Sequence, residues 1–215
     1  MGTPGHTRHT DFGTDRPIVA FDFDGTLTVR DSFNAFLARR VPRTRLLAGL
    51  ARLAPALLRY AADRDRGRLK AAAVGEFLAG RTPDEVTAEA ARFADAVWDR
   101  FMRPDALRTW RDWKARGAVM VIVTASPAIT VEPFARRLEA DVLLGTRLKV
   151  GADGRIAGPL EGENCRAGEK VLRLRERFGS DVRLAAAYGD TSGDAEMLEI
   201  AEVKGFRVFR GRPGT

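Results

Sequence analysis

Two aspartates near the start of the chain have the spacing of a catalytic carboxylate pair. Asp22 and Asp24 directly follow the apolar run Ile18–Phe21 and precede Gly25. Carboxylates at positions i and i+2 lie on one side of a strand end, and a glycine lets the chain turn there. The pair therefore suits a nucleophilic carboxylate beside a second carboxyl group, with a cation near both. An isolated Asp-x-Asp pair is often part of a solvated loop, so it indicates a catalytic site only if other suitable residues accompany it.

Three further polar elements follow, each beside a predicted strand or helix. They are Thr124-Ala125-Ser126 after the run Val119–Val123, Lys170 at the opening of a helical segment, and Asp190 and Asp194 after the run Leu184–Tyr188. Taken singly, such a threonine would cap a helix, such a lysine would be solvated, and such an aspartate would belong to a turn. Their common placement at the ends of strands and the start of a helix predicts a single site instead.

The elements that must position these residues alternate between strand and helix patterns. Short apolar runs typical of buried parallel strands are Ile18–Phe21, Val119–Val123, Val142–Leu144, Leu184–Tyr188 and Phe206–Phe209. Segments with helical periodicity separate several of them, and residues 145–159 contain an Asp-Gly turn typical of a hairpin. The pattern predicts an α/β fold with a Rossmann-like open parallel sheet, in which ligands bind at the carboxyl ends of the strands.

A long stretch without strand character separates the first strand from the second. A row of leucines, Leu46, Leu50, Leu53 and Leu57, indicates one helix, which Pro55 should interrupt or kink. A second helix is predicted over Pro83–Phe101, because Thr82 and two acidic residues form a good start signal. We therefore predict a disordered tail over residues 1–16, a core domain over residues 17–30 and 105–215, and an all-helical cap over residues 31–104.

Composition excludes several classes of site. Cys165 is the single cysteine among 215 residues, and the two histidines, His6 and His9, lie in the tail. A disulfide framework, a multi-cysteine zinc site and a histidine-dependent triad are thereby excluded. No apolar segment resembles a signal peptide or a membrane span, which favours a cytoplasmic location.

Positive charge is concentrated in the predicted cap. The chain carries a net charge of +7, and residues 37–70 hold ten basic residues against two aspartates. A basic surface attracts phosphates, anionic lipid or nucleic acid. Nucleic acid is not expected as a partner, because aromatic residues are sparse among these basic ones. The sequence contains no signal for an oligomeric state.

At this point the four elements resemble those of the haloacid dehalogenase superfamily, in the subtype IB of aspartate-nucleophile phosphatases with a helical cap between the first and second elements. The resemblance covers about residues 17–210. It implies a phosphomonoester hydrolase in which Asp22 attacks phosphorus to form an aspartyl-phosphate. Asp24 would protonate the leaving alcohol and later activate the hydrolytic water.

The same resemblance implies a phosphate site and a Mg²⁺ site. Thr124, Ala125 and Lys170 would hold the phosphate oxygens, with Lys170 also offsetting the crowded carboxylates. Mg²⁺ prefers oxygen ligands, which would come from Asp22, Asp190 and the backbone carbonyl of Asp24. Asp194 would orient a ligand or a water from outside the metal's own shell.

The substrate is less defined, and Asp31 is the candidate residue for contacting it. Phosphoserine phosphatases usually carry Glu where this chain has Asp31 and Asn where it has Gly193. Residues 123–127 and 165–171 are more similar to the class C phosphatidylglycerophosphatases, which act on an anionic phospholipid. A basic, leucine-rich cap would suit peripheral contact with such a membrane, although the leucines would equally serve to pack the cap.

Three hypotheses follow from these observations. The leading one is a Mg²⁺-dependent phosphatase acting on phosphatidylglycerophosphate. The second is a phosphatase of phosphorylated small molecules, with phosphoserine as the obvious substrate. The third is a non-catalytic protein that binds anionic lipid or nucleic acid, against which the complete set of site residues argues.

Overall fold

The computed structural model describes residues 16–63 and 66–214, so the predicted tail lies outside the described residues apart from Arg16. Its strands are β1 Ile18–Phe21, β2 Val119–Pro127, β3 Val142–Val150, β4 Ile156–Glu161, β5 Leu184–Gly189 and β6 Ala201–Phe206. They form one sheet in the order β4-β3-β2-β1-β5-β6. Every pairing is parallel except that of β3 with β4. The predicted α/β class and open, mostly parallel sheet are confirmed.

The central strands are β2, β1 and β5, and the residues of the candidate site lie at or just after their carboxyl ends. Val19–Phe21 of β1 and Val119–Val123 of β2 are fully buried, because helices cover both faces of the sheet. Parallel pairing places the carboxyl ends of all three strands at one edge. The polar residues that follow these strands in the sequence are therefore brought together.

The edges of the sheet differ from one another. At one edge, β3 and β4 form the predicted hairpin, with Gly154 in the turn at a φ of 75°. At the other edge, the predicted strand Phe206–Phe209 is wrong, because β6 covers Ala201–Phe206 instead. Arg207 adopts a left-handed φ of 54° that ends the strand. Four of the six residues of the true edge strand are exposed, so it lacks the apolar run by which the inner strands were recognised.

In the part of the chain that the structure describes, five α-helices are inserted between β1 and the rest of the sheet domain. They are α1 Ser32–Arg40, α2 Arg43–Arg52, α3 Ala54–Asp63, α4 Arg66–Phe77 and α5 Pro83–Phe101. The remaining helices are α6 Pro104–Ala115, α7 Ala128–Arg137, α8 Gly168–Phe178 and α9 Ala195–Glu199. A bridge between Thr28 and Met102 joins the two connections to the insertion. The stretch is helical as predicted, while the proposed domain boundaries at residues 31 and 104 stay a prediction.

Helix α5 has the predicted start and connects the insertion to the sheet domain. Thr82 accepts a hydrogen bond from the Glu85 backbone N–H, and the Glu85 carboxylate accepts one from the Thr82 N–H. This capping box satisfies amide groups that the first turn leaves unpaired. The apolar face of α5, with Phe93 and Phe101, then packs against Phe134 of α7. One continuous core therefore joins the insertion and the sheet domain.

The leucine row is divided between two helices. Helix α2 ends at Arg52 and α3 begins at Ala54, so Pro55 falls in the first turn of α3 and interrupts the helix as predicted. Only Leu53 is buried, whereas Leu47, Leu50, Leu57 and Leu58 are 68%, 44%, 41% and 74% exposed. Packing against the rest of the insertion therefore does not account for most of these leucines. Within the described ranges, no helix is long and apolar enough to cross a bilayer.

Candidate active site

The predicted residues converge at the carboxyl edge of the central strands. Asp22 follows β1, and its backbone N–H donates to the carbonyl of Tyr188 at the end of β5, at 2.8 Å. Thr124 lies near the end of β2, and Lys170 occupies the first turn of α8. Residues that are more than 160 positions apart in the chain are thereby adjacent. The sequence motifs and the strand order together build one site.

Lys170 is the centre of this site. Its ammonium Nζ donates to Asp22 Oδ1 at 2.6 Å, to Asp194 Oδ1 at 2.6 Å and to the backbone carbonyl of Val123 at 2.7 Å. The lysine is almost completely buried, which opposes its charge. The two carboxylates outweigh that burial and raise the pKa of Lys170 above its usual value. Lys170 is therefore a buried cation with all three ammonium hydrogens engaged.

Asp194 organises the loop that follows β5. While Oδ1 faces Lys170, Oδ2 accepts hydrogen bonds from the backbone N–H groups of Asp190 and Thr191, at 3.2 and 2.9 Å. Burial raises the pKa of Asp194, but the charge of Lys170 and these hydrogen bonds together lower it below its usual value. With both oxygens occupied by the protein, Asp194 has the geometry of a residue that orients its neighbours.

Three carboxylates form a cluster that fits a divalent cation. One oxygen from each of Asp22, Asp190 and Asp194 lies within 4.8 Å of the others. Asp190 Oδ1 is buried and has no hydrogen-bond partner in the described part of the chain, although a buried carboxylate oxygen is costly to leave unpaired. Burial raises the pKa of Asp22 to about 7, against the attraction of Lys170, and burial also raises the pKa of Asp190. A bound cation would lower both values, so this donor set suits a hard metal ion.

Asp24 lines the cavity, and each of its two carboxylate oxygens accepts a hydrogen bond from a neighbouring residue. Its Oδ2 accepts the Ser126 hydroxyl at 2.5 Å, and its Oδ1 accepts the Ser32 backbone N–H at 2.6 Å. The second contact comes from the first turn of α1, so the insertion contributes to the placement of this carboxyl group. Asp24 is only partly buried, so its carboxyl group is accessible from the cavity that it lines.

The Thr124 region closes the floor of the site. The Thr124 side chain is fully buried, and its hydroxyl accepts the backbone N–H of Ser126 at 3.0 Å. Ala125, by contrast, lines the cavity. A ligand in the cavity would therefore contact the backbone around Ala125. The buried Thr124 side chain instead stabilises the turn that carries Ala125.

The cavity above these residues has a volume of about 560 Å³ and is walled partly by the insertion. Asp31 lies in this wall, where its Oδ1 caps α1 by accepting the Asn34 N–H at 2.7 Å. Lys70 of α4 reaches across, and its Nζ donates to the carbonyl of Ala125 at 2.5 Å. Burial lowers the pKa of Lys70, although nearby aspartates favour its charge. Asp31 and Lys70 therefore face the cavity as a pair of opposite charges.

Sequence reasoning missed Lys70, Arg103 and Arg166, all of which line the cavity. Lys70 is hidden among many basic residues of the insertion, and nothing local separates it from a solvated lysine. Arg166 had a signal, because Gly193 stands where phosphoserine phosphatases usually have Asn. A Cβ on Gly193 would lie 2.8 Å from Arg166 Cγ. The absent side chain makes room for the arginine, so the two positions belong together.

Comparison with known proteins identifies the family to which these features belong. Residues 19–199 match the family described as haloacid dehalogenase-like hydrolase. "Protein CicA" of Caulobacter vibrioides is 60% identical over 204 residues, which cover 94% of this chain and 91% of that protein. A phosphoserine phosphatase of Halobacterium salinarum is 32% identical, over 86% of this chain and 82% of its own length.

A solved structure agrees with the fold. A protein of unknown function from Bordetella pertussis Tohama I superposes with a TM-score of 0.73 at 25% identity, covering 86% of each chain. The family match and this superposition confirm the resemblance to haloacid dehalogenase-type hydrolases predicted from the four sequence elements.

Gly25 gives a direct test of the site's packing. Its φ is +85°, and a Cβ there would lie 2.3 Å from Asp190 Oδ2. We expect Gly25→Ala to abolish hydrolase activity and to lower the free energy of unfolding. The matched control is Gly154→Ala, which has a similar φ of +75° but open space around it, and which should cost only the backbone strain, about 1–2 kcal/mol.

The difference between the two variants isolates the collision with Asp190. Gly25→Ala should be less stable than Gly154→Ala by about 1–3 kcal/mol in urea unfolding, as overpacking usually costs. Equal stability and retained activity for both variants would contradict the close approach of Gly25 to Asp190.

Proposed function

We propose that this chain, which belongs to the haloacid dehalogenase-like hydrolase family, is a Mg²⁺-dependent phosphomonoesterase that works through an aspartyl-phosphate. The observation that carries the proposal is the triad of Lys170, Asp22 and Asp194. Beside it lies Oδ1 of Asp190, which has no hydrogen-bond partner among the described residues. A buried carboxylate held against a cation has one oxygen free for attack. A metal ion would offset the negative charge of the neighbouring carboxylates.

The residues have the positions that such a reaction needs. The free Asp22 oxygen would attack phosphorus while the bond from phosphorus to the leaving oxygen breaks, and Asp24 would give that oxygen its proton. Water would then attack the phosphorus of the aspartyl-phosphate, with Asp24 taking a proton from the water. Inorganic phosphate would leave, and the Asp22 carboxylate would be regenerated. Phosphate oxygens would be held by the backbone near Ala125, and the buried positive charge of Lys170 would offset their negative charge.

Asp22, Asp190 and the backbone carbonyl of Asp24 would hold the Mg²⁺, with Asp194 fixing the loop that carries Asp190. When bound, Mg²⁺ supplies charge neutralisation for the phosphate and the carboxylates. The hydroxyl of Ser126 and the Ser32 N–H keep Asp24 aimed into the cavity. Asp24 therefore serves as the acid and base rather than as a second metal carboxylate.

Loss of the nucleophile is the first test. Asp22→Asn should lower phosphate release from p-nitrophenyl phosphate by at least about a thousandfold, because an amide of nearly the same shape cannot attack phosphorus. Asp181→Asn, at an exposed position, is the matched control and should keep full activity. Thermal unfolding of both variants would establish that they are folded. If Asp22→Asn turned over substrate at the wild-type rate, the covalent mechanism would be wrong.

Metal dependence is the second test. Phosphate release should stop on chelation and return with Mg²⁺, whereas Ca²⁺ should inhibit, because its larger and irregular shell misplaces the nucleophile. Asp190→Asn should raise the Mg²⁺ concentration for half-maximal activity by about tenfold or more. Undiminished activity in chelator, with no metal found by elemental analysis, would rule out this role for Mg²⁺.

The surface of α2 and α3 supports a lipid phosphate, such as phosphatidylglycerophosphate, as the substrate. Leu47 and Leu58 are the most exposed of its leucines, and each has an arginine near it in the sequence, Arg45 for Leu47 and Arg59 for Leu58. Exposed apolar side chains with adjacent positive charge suit adsorption to an anionic bilayer. This surface belongs to the insertion whose Lys70 lines the cavity, so adsorption would bring the substrate-binding part of the protein to the head groups.

Only part of the basic charge on this surface is available to a membrane. Arg43, Arg45, Arg52 and Arg59 flank the leucines in the sequence. Of these four, Arg45 and Arg52 both form ion pairs with Glu76. Arg43 and Arg59 are exposed and have no ion pair in the described part of the chain. The charge reversal that tests membrane contact is therefore best made at Arg43 and Arg59, where it leaves the Glu76 pairs intact.

Phosphoserine is the second candidate substrate. The relative from Halobacterium salinarum is a phosphoserine phosphatase, and the opposed charges of Asp31 and Lys70 would suit an ammonium and a carboxylate on one small molecule. Asp31 is the substrate-contacting residue in either case, because it lies in the wall that the insertion contributes.

Two assays separate the lipid from the soluble substrate. Wild-type protein should float with vesicles containing anionic phospholipid at low salt, and binding should fall as salt rises. Since each basic residue near an anionic surface contributes about 1 kcal/mol, Arg43→Glu/Arg59→Glu should weaken vesicle binding by at least about tenfold. Hydrolysis of phosphatidylglycerophosphate should fall with it, while hydrolysis of p-nitrophenyl phosphate should be kept.

The control for these assays is Arg111→Glu/Arg175→Glu, which reverses two exposed arginines on α6 and α8. It should leave both vesicle binding and lipid hydrolysis unchanged. The lipid assignment would be wrong if the protein did not float with anionic vesicles at low salt and hydrolysed phosphoserine much faster than phosphatidylglycerophosphate. Phosphoserine would then be the better candidate substrate.

A further inference from the structure

Several basic side chains of the described residues line the candidate active-site cavity: Arg30, Lys70, Arg103, Arg166 and Lys170. Lys170 uses all three ammonium hydrogens within the protein. Arg103 donates through two nitrogens to backbone carbonyls, and Lys70 donates to another backbone carbonyl. Arg30 is exposed and lies over an aromatic ring. These four residues supply positive charge to the cavity, but three of them already have hydrogen bonds that a ligand would have to replace or share.

Arg166 differs from these residues because most of its guanidinium is free of protein partners. Its Nη2 donates to the hydroxyl of Ser192 at 3.2 Å, which is the one hydrogen bond of this side chain within residues 16–63 and 66–214. Over the same ranges, no carboxylate forms an ion pair with Arg166. A guanidinium carries five N–H donors. Most of the donors of Arg166 are therefore available to a group in the cavity.

The guanidinium of Arg166 lies over Gly193, and the absence of a side chain there makes this position possible. A Cβ on Gly193 would lie 2.8 Å from Arg166 Nε and 2.9 Å from Arg166 Cζ. Gly193 is buried, and it is not one of the glycines with a positive φ, so its backbone would accept an alanine. The glycine is therefore required by the arginine rather than by the turn.

The backbone that carries Arg166 is joined to the same turn. The Ala167 N–H donates to the Gly193 carbonyl at 2.8 Å, and Ala167 has a left-handed φ of 55°. An alanine keeps such a conformation only where the surrounding structure fixes it. The residue after Gly193 is Asp194, which contacts Lys170. Both the backbone and the side chain of Arg166 are therefore held beside the buried ammonium.

From this geometry we propose that Arg166 binds the phosphate group that the enzyme transfers, with its guanidinium held over Gly193 and donating to phosphate oxygens. The inference rests on the proposed phosphomonoesterase function. A planar guanidinium is always charged and binds phosphate through paired N–H groups. Lys170 would offset the charge of the phosphate while its hydrogens stay engaged with the protein, whereas Arg166 would supply hydrogen bonds to the phosphate directly.

This role of Arg166 is the same for every candidate substrate, because all of them carry the transferred phosphate. It differs from the role of Asp31, which would contact the leaving group. A change at Arg166 should therefore weaken the binding of any phosphomonoester, and of inorganic phosphate, by similar factors.

Binding of inorganic phosphate tests the assignment without depending on turnover or on a leaving group. Protein with Mg²⁺ is titrated calorimetrically with inorganic phosphate. Arg166→Gln should weaken binding by about tenfold or more, because a charged hydrogen-bond donor is lost. Arg166→Lys keeps the charge but not the paired donors, so binding should weaken by only about threefold. The matched control is Arg175→Gln, at an exposed position on α8, which should bind phosphate as the wild type does.

Gly193→Ala tests the position of the guanidinium while Arg166 itself is unchanged. Its Cβ should displace the guanidinium and weaken phosphate binding by about threefold to tenfold. The matched control is Gly168→Ala, whose added Cβ would meet no atom within 4 Å and which should bind phosphate normally. Arg166→Gln/Gly193→Ala should bind phosphate at most about twofold more weakly than Arg166→Gln, because both changes remove the same interaction.

Three results of these titrations would overturn the inference. They are undetectable phosphate binding by the wild-type protein, unchanged affinity in Arg166→Gln, and losses that multiply in the double variant. Multiplying losses would show that phosphate binding by Arg166 does not depend on the space above Gly193.

Turnover separates a phosphate contact from a leaving-group contact. Arg166→Gln should lower kcat/KM for p-nitrophenyl phosphate and for phosphoserine by similar factors. A loss confined to phosphoserine would place Arg166 against the leaving group and would overturn the assignment. Failure of the proposed function would be seen separately, as absence of phosphate release by a wild-type protein that binds inorganic phosphate through Arg166.

Discussion

The interaction on which the site depends is the contact of one buried ammonium with two buried carboxylates. Lys170 joins Asp22, at the end of β1, to Asp194, beyond the end of β5. Removing either sign of charge would leave the other buried and unpaired, which is far more costly than the pair itself is stabilising. The contact therefore fixes α8 against the strand ends and sets the spacing between Asp22 and the loop that carries Asp190.

Tight backbone approach is the second consequence of this contact. A Cβ on Gly189 would lie 2.4 Å from Asp194 Cβ, and one on Gly25 would lie 2.3 Å from Asp190 Oδ2. The glycines are thus required by the crowding of carboxylates around Lys170. The same crowding raises the pKa of Asp22 through burial, so the protein alone does not fully stabilise the ionised Asp22 carboxylate. Cation binding and ionisation of Asp22 are therefore favoured together.

The parts of this structure that sequence predicts are those with a local signature. Buried parallel strands form apolar runs, and a parallel sheet brings their carboxyl ends to one edge, so Asp22, Lys170 and Asp190 were found without a structure. Lys70 was not, because its role depends on how α4 lies over the sheet. The edge strand β6 was misplaced because four of its six residues are exposed to solvent. Long-range packing and partial burial leave no periodic pattern to detect.

Charge balance explains why the insertion contributes residues of both signs to the cavity. Five basic side chains line it opposite five carboxylates: Arg30, Lys70, Arg103, Arg166 and Lys170 against Asp22, Asp24, Asp31, Asp190 and Asp194. A divalent cation and a phosphomonoester dianion together add no net charge, so this balance would be kept when both are bound and disturbed when only one is. The carboxylates at the strand ends would face the cation, and the basic residues of the walls would face the anion.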